Sequence, residues 1–142
     1  MGRSIAGWAT GVCFVLASQS VLAGTGKPEI GRYVRAYEGD EGIVVWIMRY
    51  GAPAAQTALV QVNGIDHELD HRILKTKIVP QQVGSKYFYE AGGKQYELLR
   101  VRESGYELQV PGSPRVSPLR YDKELSKAGR PDQFLVEFQE QK

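Results

Sequence analysis

Thr57-Ala58-Leu59-Val60-Gln61-Val62-Asn63-Gly64-Ile65-Asp66-His67-Glu68-Leu69-Asp70-His71-Arg72-Ile73 is the stretch on which the fold turns. Its first six residues read as a strand, and Asn63-Gly64 tolerates the two positive φ values of a type I′ turn, so the stretch reads as a tight β-hairpin. After the turn, Ile65, His67, Leu69, His71 and Ile73 fall on one face and Asp66, Glu68, Asp70 and Arg72 on the other, the period-two pattern of a half-buried strand. Leu74, Thr76 and Ile78 continue in the opposite phase, which predicts a bulge near Ile73.

On either side of this stretch, period two persists from about residue 30 to residue 110. Ile30 to Tyr37 alternates, with Tyr33, Arg35 and Tyr37 on one face and Val34 and Ala36 on the other. Ile43-Val44-Val45-Trp46-Ile47-Met48 is continuously apolar, as expected of a strand covered on both faces. Lys86 to Glu90, Lys94 to Val101 and Tyr106 to Val110 are separated by Ala91-Gly92-Gly93 and Glu103-Ser104-Gly105, a three-stranded meander. After the proline-rich connection Pro111 to Pro118, Leu119 to Ala128 reads as a short helix capped by Ser117 with Pro118 at its first position. Gln133 to Gln139 returns to strand, placing Phe134, Val136 and Phe138 together. The expectation is an all-β domain, a small antiparallel barrel or compact sandwich of about eight strands with one short helix near the C-terminus.

The N-terminus has a different character. Arg3, an apolar stretch from Ile5 to Ala17, and Val21-Leu22-Ala23 before Gly24 form the pattern of a secretory signal peptide. The apolar stretch is shorter than the ~20 residues that span a bilayer. Residues 1–23 are therefore expected to be a signal peptide and 24–142 a single all-β domain in the periplasm or medium, with an uncleaved anchor as the alternative. Cys13, the single cysteine, lies within the signal segment, so the remainder can form no disulfide and has no thiol nucleophile.

His67-Glu68-Leu69-Asp70-His71 matches the His-Glu-x-x-His pattern and over these five residues resembles the zinc metalloproteases. The resemblance implies His67 and His71 as zinc ligands and Glu68 as general base. That chemistry needs a helix, where residues four apart can grip one ion. On the strand expected here the two histidines stand ~13 Å apart, too far for one zinc. No third histidine exists in the chain. The serines at 85, 104, 113, 117 and 126 lie outside any Gly-x-Ser-x-Gly elbow, and Gly92-Gly93 is hairpin chemistry rather than a phosphate loop. Asp66, Glu68 and Asp70 read as a solvated strand face. The expectation is no catalytic residue, no metal and no cofactor.

A formal charge of +2 across 142 residues gives no concentrated basic field for nucleic acid. Tyr87 and Tyr89 share a face, Tyr96 lies across a tight turn, and Arg100 and Arg102 extend the Tyr96 phase. With Arg115 in the stiff Pro111–Pro118 loop, these six are the candidate binding residues, Tyr and Arg being enriched in interface hot spots. The competing reading is a barrel interior in which the tyrosines simply pack. The functional expectation is an exported, non-catalytic interaction protein, an inhibitor or immunity-like factor with a protein partner in the cell envelope. It involves no nucleic acid and no stable membrane insertion after signal cleavage. A small-ligand, lipid-like carrier is the alternative. In size and class the chain is similar to small exported β proteins that inhibit lysozymes, a fold-level analogy that carries no residue across.

Overall fold

The computed structural model describes residues 28–141. The segment read as a signal peptide lies outside them. Eight strands follow one another as neighbours: β1 (Arg35–Glu38), β2 (Val44–Arg49), β3 (Thr57–Asn63), β4 (Ile73–Pro80), β5 (Ser85–Ala91), β6 (Lys94–Arg102), β7 (Gly105–Gln109) and β8 (Val116–Asp122). Each is antiparallel to the next, and β8 pairs back onto β1, so the sheet closes into an up-and-down barrel. Closure removes the unpaired edges that an open sheet leaves. Two helices follow, α1 (Lys123–Lys127) and α2 (Pro131–Glu140).

Alternation assigns the two faces. Val45 pairs with Val62, Ile47 with Val60, Tyr37 with Val45, Thr76 with Tyr89 and Tyr87 with Leu99, and all of these side chains point inward. Val45, Val60, Leu99 and Leu108 are completely buried, so the interior is packed with side chains. The intervening residues Trp46, Met48 and Leu59 point outward and meet Phe134, Leu135 and Phe138 of α2, which makes a second apolar layer outside the barrel. The continuous apolar run expected around residues 43–48 is explained: it is covered by the barrel core on one face and by a helix on the other.

Two C-terminal expectations are corrected. Leu119–Asp122 is strand, not helix, and α1 is capped by Asp122, whose Oδ1 accepts the Leu125 N–H at 2.9 Å, rather than by Ser117. Residues 133–139 are helix, not strand. Phe134, Leu135 and Phe138 fall at the i, i+1, i+4 spacing of a helical stripe, and Pro131 occupies the first turn, where its missing N–H costs nothing. Val136, expected to share a face with the two phenylalanines, is exposed.

The hairpin expected at Asn63-Gly64 is also corrected. β3 ends at Asn63 and β4 begins at Ile73, so residues 64–72 form a nine-residue loop. Asp70 Oδ1 accepts the N–H groups of Gly64 and Ile65, at 2.8 and 3.2 Å. The backbone carbonyls of His67 and Leu69 accept from Asp70 and Arg72, and His71 sits at φ +65°. Local side-chain-to-backbone bonds thus override the alternation. Ile73 begins its strand with no bulge. It has no partner on β5, and the Gln141 side-chain amide fills that gap by accepting its N–H at 2.9 Å and donating to its carbonyl.

Leu135→Ala, which truncates a buried α2 side chain, is expected to cost about 2–5 kcal/mol in urea unfolding, and Val136→Ala less than about 0.5 kcal/mol. A strand over this segment, with Phe134, Val136 and Phe138 on the buried face, would reverse the contrast between these neighbours.

Candidate functional site

At one end of the barrel meet the start of β1, the end of β2, the start of β3, the end of β4 and the starts of β5 and β7. Arg35, Arg49, Ala58, Ile78, Tyr87 and Tyr106 are the inward residues nearest this rim, and with Gly31, Arg32, Tyr33, Tyr37 and Ile47 they line a recess of about 320 Å³. Its floor is aromatic. The Tyr37 and Tyr106 ring centres lie 4.5 Å apart, Tyr87 lies 6.3 Å from Tyr106, and Tyr121 meets Tyr37 edge-on at 5.6 Å.

The rim is held by Arg49. Its guanidinium meets Glu29 at 3.3 Å and donates to the carbonyls of Ile30 and Gly51. Backbone bonds from Gly31 to Arg49 and from Gly51 to Glu29 complete the strap, which carries Arg32 and Tyr33 to the mouth. A Cβ on Gly31 would lie 3.2 Å from Arg49 Cβ, so glycine suits this close approach. Arg49 is therefore committed to structure. Arg32 and Arg35 form no ion pair among the described residues.

Burial pushes the Tyr37 and Tyr87 hydroxyls well above the ordinary phenol value, and the neighbouring Tyr106 adds to the effect. Arg35 lines the same recess as both phenols, and its positive charge opposes both shifts. At neutral pH the phenols are protonated donors.

The six sequence candidates do not share one face. Tyr87 and Tyr89 point into the barrel; Tyr89 stacks on Tyr96 with centres 5.4 Å apart. Between β5 and β6 the register shifts at Tyr87/Phe88, because Leu98 has no partner and forms a bulge. The bulge inverts the phase of β6. Tyr96 therefore shares the inner face while Arg100 and Arg102 lie outside, lining a separate groove with Lys86. Glu97 binds Arg100 at 2.8 Å and lies 3.8 Å from Lys86, while Arg102 binds Glu107 at 2.7 Å. The Arg100 hydrogen bonds hold the Glu97 carboxyl below its ordinary value. Arg115 lies at the opposite end, exposed, 4.0 Å from Glu41.

Only Tyr87 of the six reaches the recess. Arg32, Arg35, Tyr37 and Tyr106 were missed, although the odd-numbered face of 33–37 had already joined Tyr33, Arg35 and Tyr37. The sequence pattern left barrel and sandwich both open, and it is the closed barrel that sets that face against Tyr87 and Tyr106.

The His67–His71 stretch is neither the strand expected nor a helix. His67 Nδ1 accepts the Leu69 N–H at 3.0 Å, and His71 Nε2 lies 3.3 Å from Asp70 Oδ2. Among the described residues no group of three His, Cys, Asp or Glu side chains is placed to hold a metal ion.

The fold and recess define the class: a small closed, up-and-down eight-stranded antiparallel barrel with a cationic, phenol-lined open end. No protein-family model, curated protein or solved structure matches the chain.

Two outcomes are expected. Because the folded-state values of Tyr37 and Tyr87 are raised, their contribution to stability is complete below the ordinary phenol value near 10 and is lost as pH rises above it. Unfolding free energy measured against alkaline pH should fall, and Tyr37→Phe or Tyr87→Phe should each flatten the slope by up to about 1.4 kcal/mol per pH unit. In the 64–72 loop, Asp70→Ala should cost about 1 kcal/mol through its two lost backbone bonds, and added zinc should leave the urea midpoint unmoved.

Proposed function

We propose that this chain is an exported, non-catalytic interaction protein that docks on a protein partner in the cell envelope through the open end of its barrel. One observation carries the reading: the interior is filled with side chains, and Arg32, Arg35, Tyr37, Tyr87 and Tyr106 gather around a recess at one open end of the barrel. Tyrosine and arginine in a recess at a rigid rim are the groups on which hot spots are built. Tyr33, 74% exposed on the strap, offers contact area beside the recess.

The carrier reading is less well supported. Enclosing a lipid-like chain takes an apolar cavity within the strands, and Val45, Val60, Leu99 and Leu108 occupy that space. The metallohydrolase reading has no support from the 64–72 loop, where the local bonds of His67 and the Asp70 pairing of His71 account for both imidazoles.

A photo-cross-linking residue at position 33 in cells is expected to give one discrete adduct with an envelope protein, and the same residue at position 94, at the opposite end, none. Absence of an adduct from position 33, or a solvent-extractable lipid copurifying one per chain, would overturn the proposal.

A further inference from the structure

We propose that the open end of the barrel is a receptor for an oxyanion, a carboxylate or phosphate group, held by Arg32 and Arg35 and by the phenols of Tyr37, Tyr87 and Tyr106. The inference rests on the reading that this end is the docking end and names the chemistry that enters it.

Arg35 pairs with Ile47 across β1 and β2, and Ile47 belongs to the inner face, so the Arg35 side chain starts inward at the rim. Its charge is unopposed there. Arg49, in the same recess, is neutralised by Glu29 and two carbonyls, whereas Arg32 and Arg35 have no carboxylate partner among the described residues. Residues 1–27 contain no Asp or Glu that could supply one. The buried phenols stay protonated and present donors beside the guanidinium groups. A concavity that offers planar guanidinium forks and O–H donors, with no acidic group among its lining residues, complements a group with several acceptor oxygens and a negative charge. A cation would be repelled, and an apolar guest would strip water from the guanidinium groups without replacing its bonds. At about 320 Å³ the recess lies at the small end of ligand sites, enough for such a head group with a few attached atoms.

The test is a titration of the protein with sodium phosphate, with citrate, and with a short neutral peptide amide carrying one glutamate, at constant ionic strength. It is followed by NMR of the arginine Nε–H groups and the tyrosine rings. Saturable shifts at Arg35 and Tyr106, with Arg102 unmoved, are expected from at least one probe. Arg35→Gln should weaken that binding at least ten-fold and Arg102→Gln should not. Arg35 is exposed and makes no ion pair among the described residues, so the variant should unfold at the wild-type urea midpoint. A response to phosphate assigns a phosphate-bearing ligand, and a response to citrate or the glutamate peptide alone assigns a carboxylate. No saturable shift from any probe, or equal binding by Arg35→Gln, would sink the inference. The two proposals fail separately: a position-33 adduct that persists in Arg35→Gln without anion binding leaves docking standing and removes the oxyanion. Anion binding without any adduct does the reverse.

Discussion

A four-residue strand closes this barrel. β1 pairs with β2 on one side and β8 on the other, and without both pairings the remaining seven strands would be a curled sheet with two exposed edges. So short a strand is held by the segment just past β8. Ser126 Oγ of α1 accepts the Ala36 N–H at 2.8 Å and lies 2.6 Å from the Asp122 carbonyl. The Leu125 N–H holds the Asp122 carboxyl below its ordinary value, and Gly129 crosses Val34 so closely that a Cβ would lie 2.9 Å from Val34 Cβ. The closure that sets Tyr37 against Tyr87 and Tyr106 thus depends on a turn of helix outside the sheet.

What sequence conveyed was the period of two, and with it the class and most strands. What it did not convey was where local chemistry breaks that period. Residues 65–73 alternate as cleanly as any strand in the chain, yet Asp70 binds two backbone N–H groups and folds them into a loop. Leu98 lies in an unbroken strand pattern, yet as a bulge it sends Arg100 and Arg102 outward. Phe134, Val136 and Phe138 satisfy a strand template, but Leu135 decides for a helix because it is the neighbour that must be buried. In each case one polar contact or one apolar residue outweighs a pattern that both structures would satisfy.

The arginines separate by the same logic. Arg49, Arg100 and Arg102 each meet a carboxylate and serve the scaffold, Arg49 by tying down the strap, Arg100 within β6 and Arg102 across β6 and β7 on the outside. Solvent-facing pairs of this kind contribute little to stability individually. Arg32 and Arg35 stand outside these arrangements, and burial of the tyrosines beneath them supplies a low-dielectric floor that strengthens any charge interaction above it.

The apolar layer of α2 covers the outer face of β2, β3 and the start of β4, and leaves β5 to β8 bare. The barrel is consequently a vessel with one armoured wall and one thin one, and its mouth draws on both: Arg49 rises from the backed side, Tyr87 and Tyr106 from the unbacked side. A guest bridging the mouth would splint the thin wall to the thick one. Its arrival would be felt as slower amide exchange along β5, β6 and β7, far more than as any change of shape.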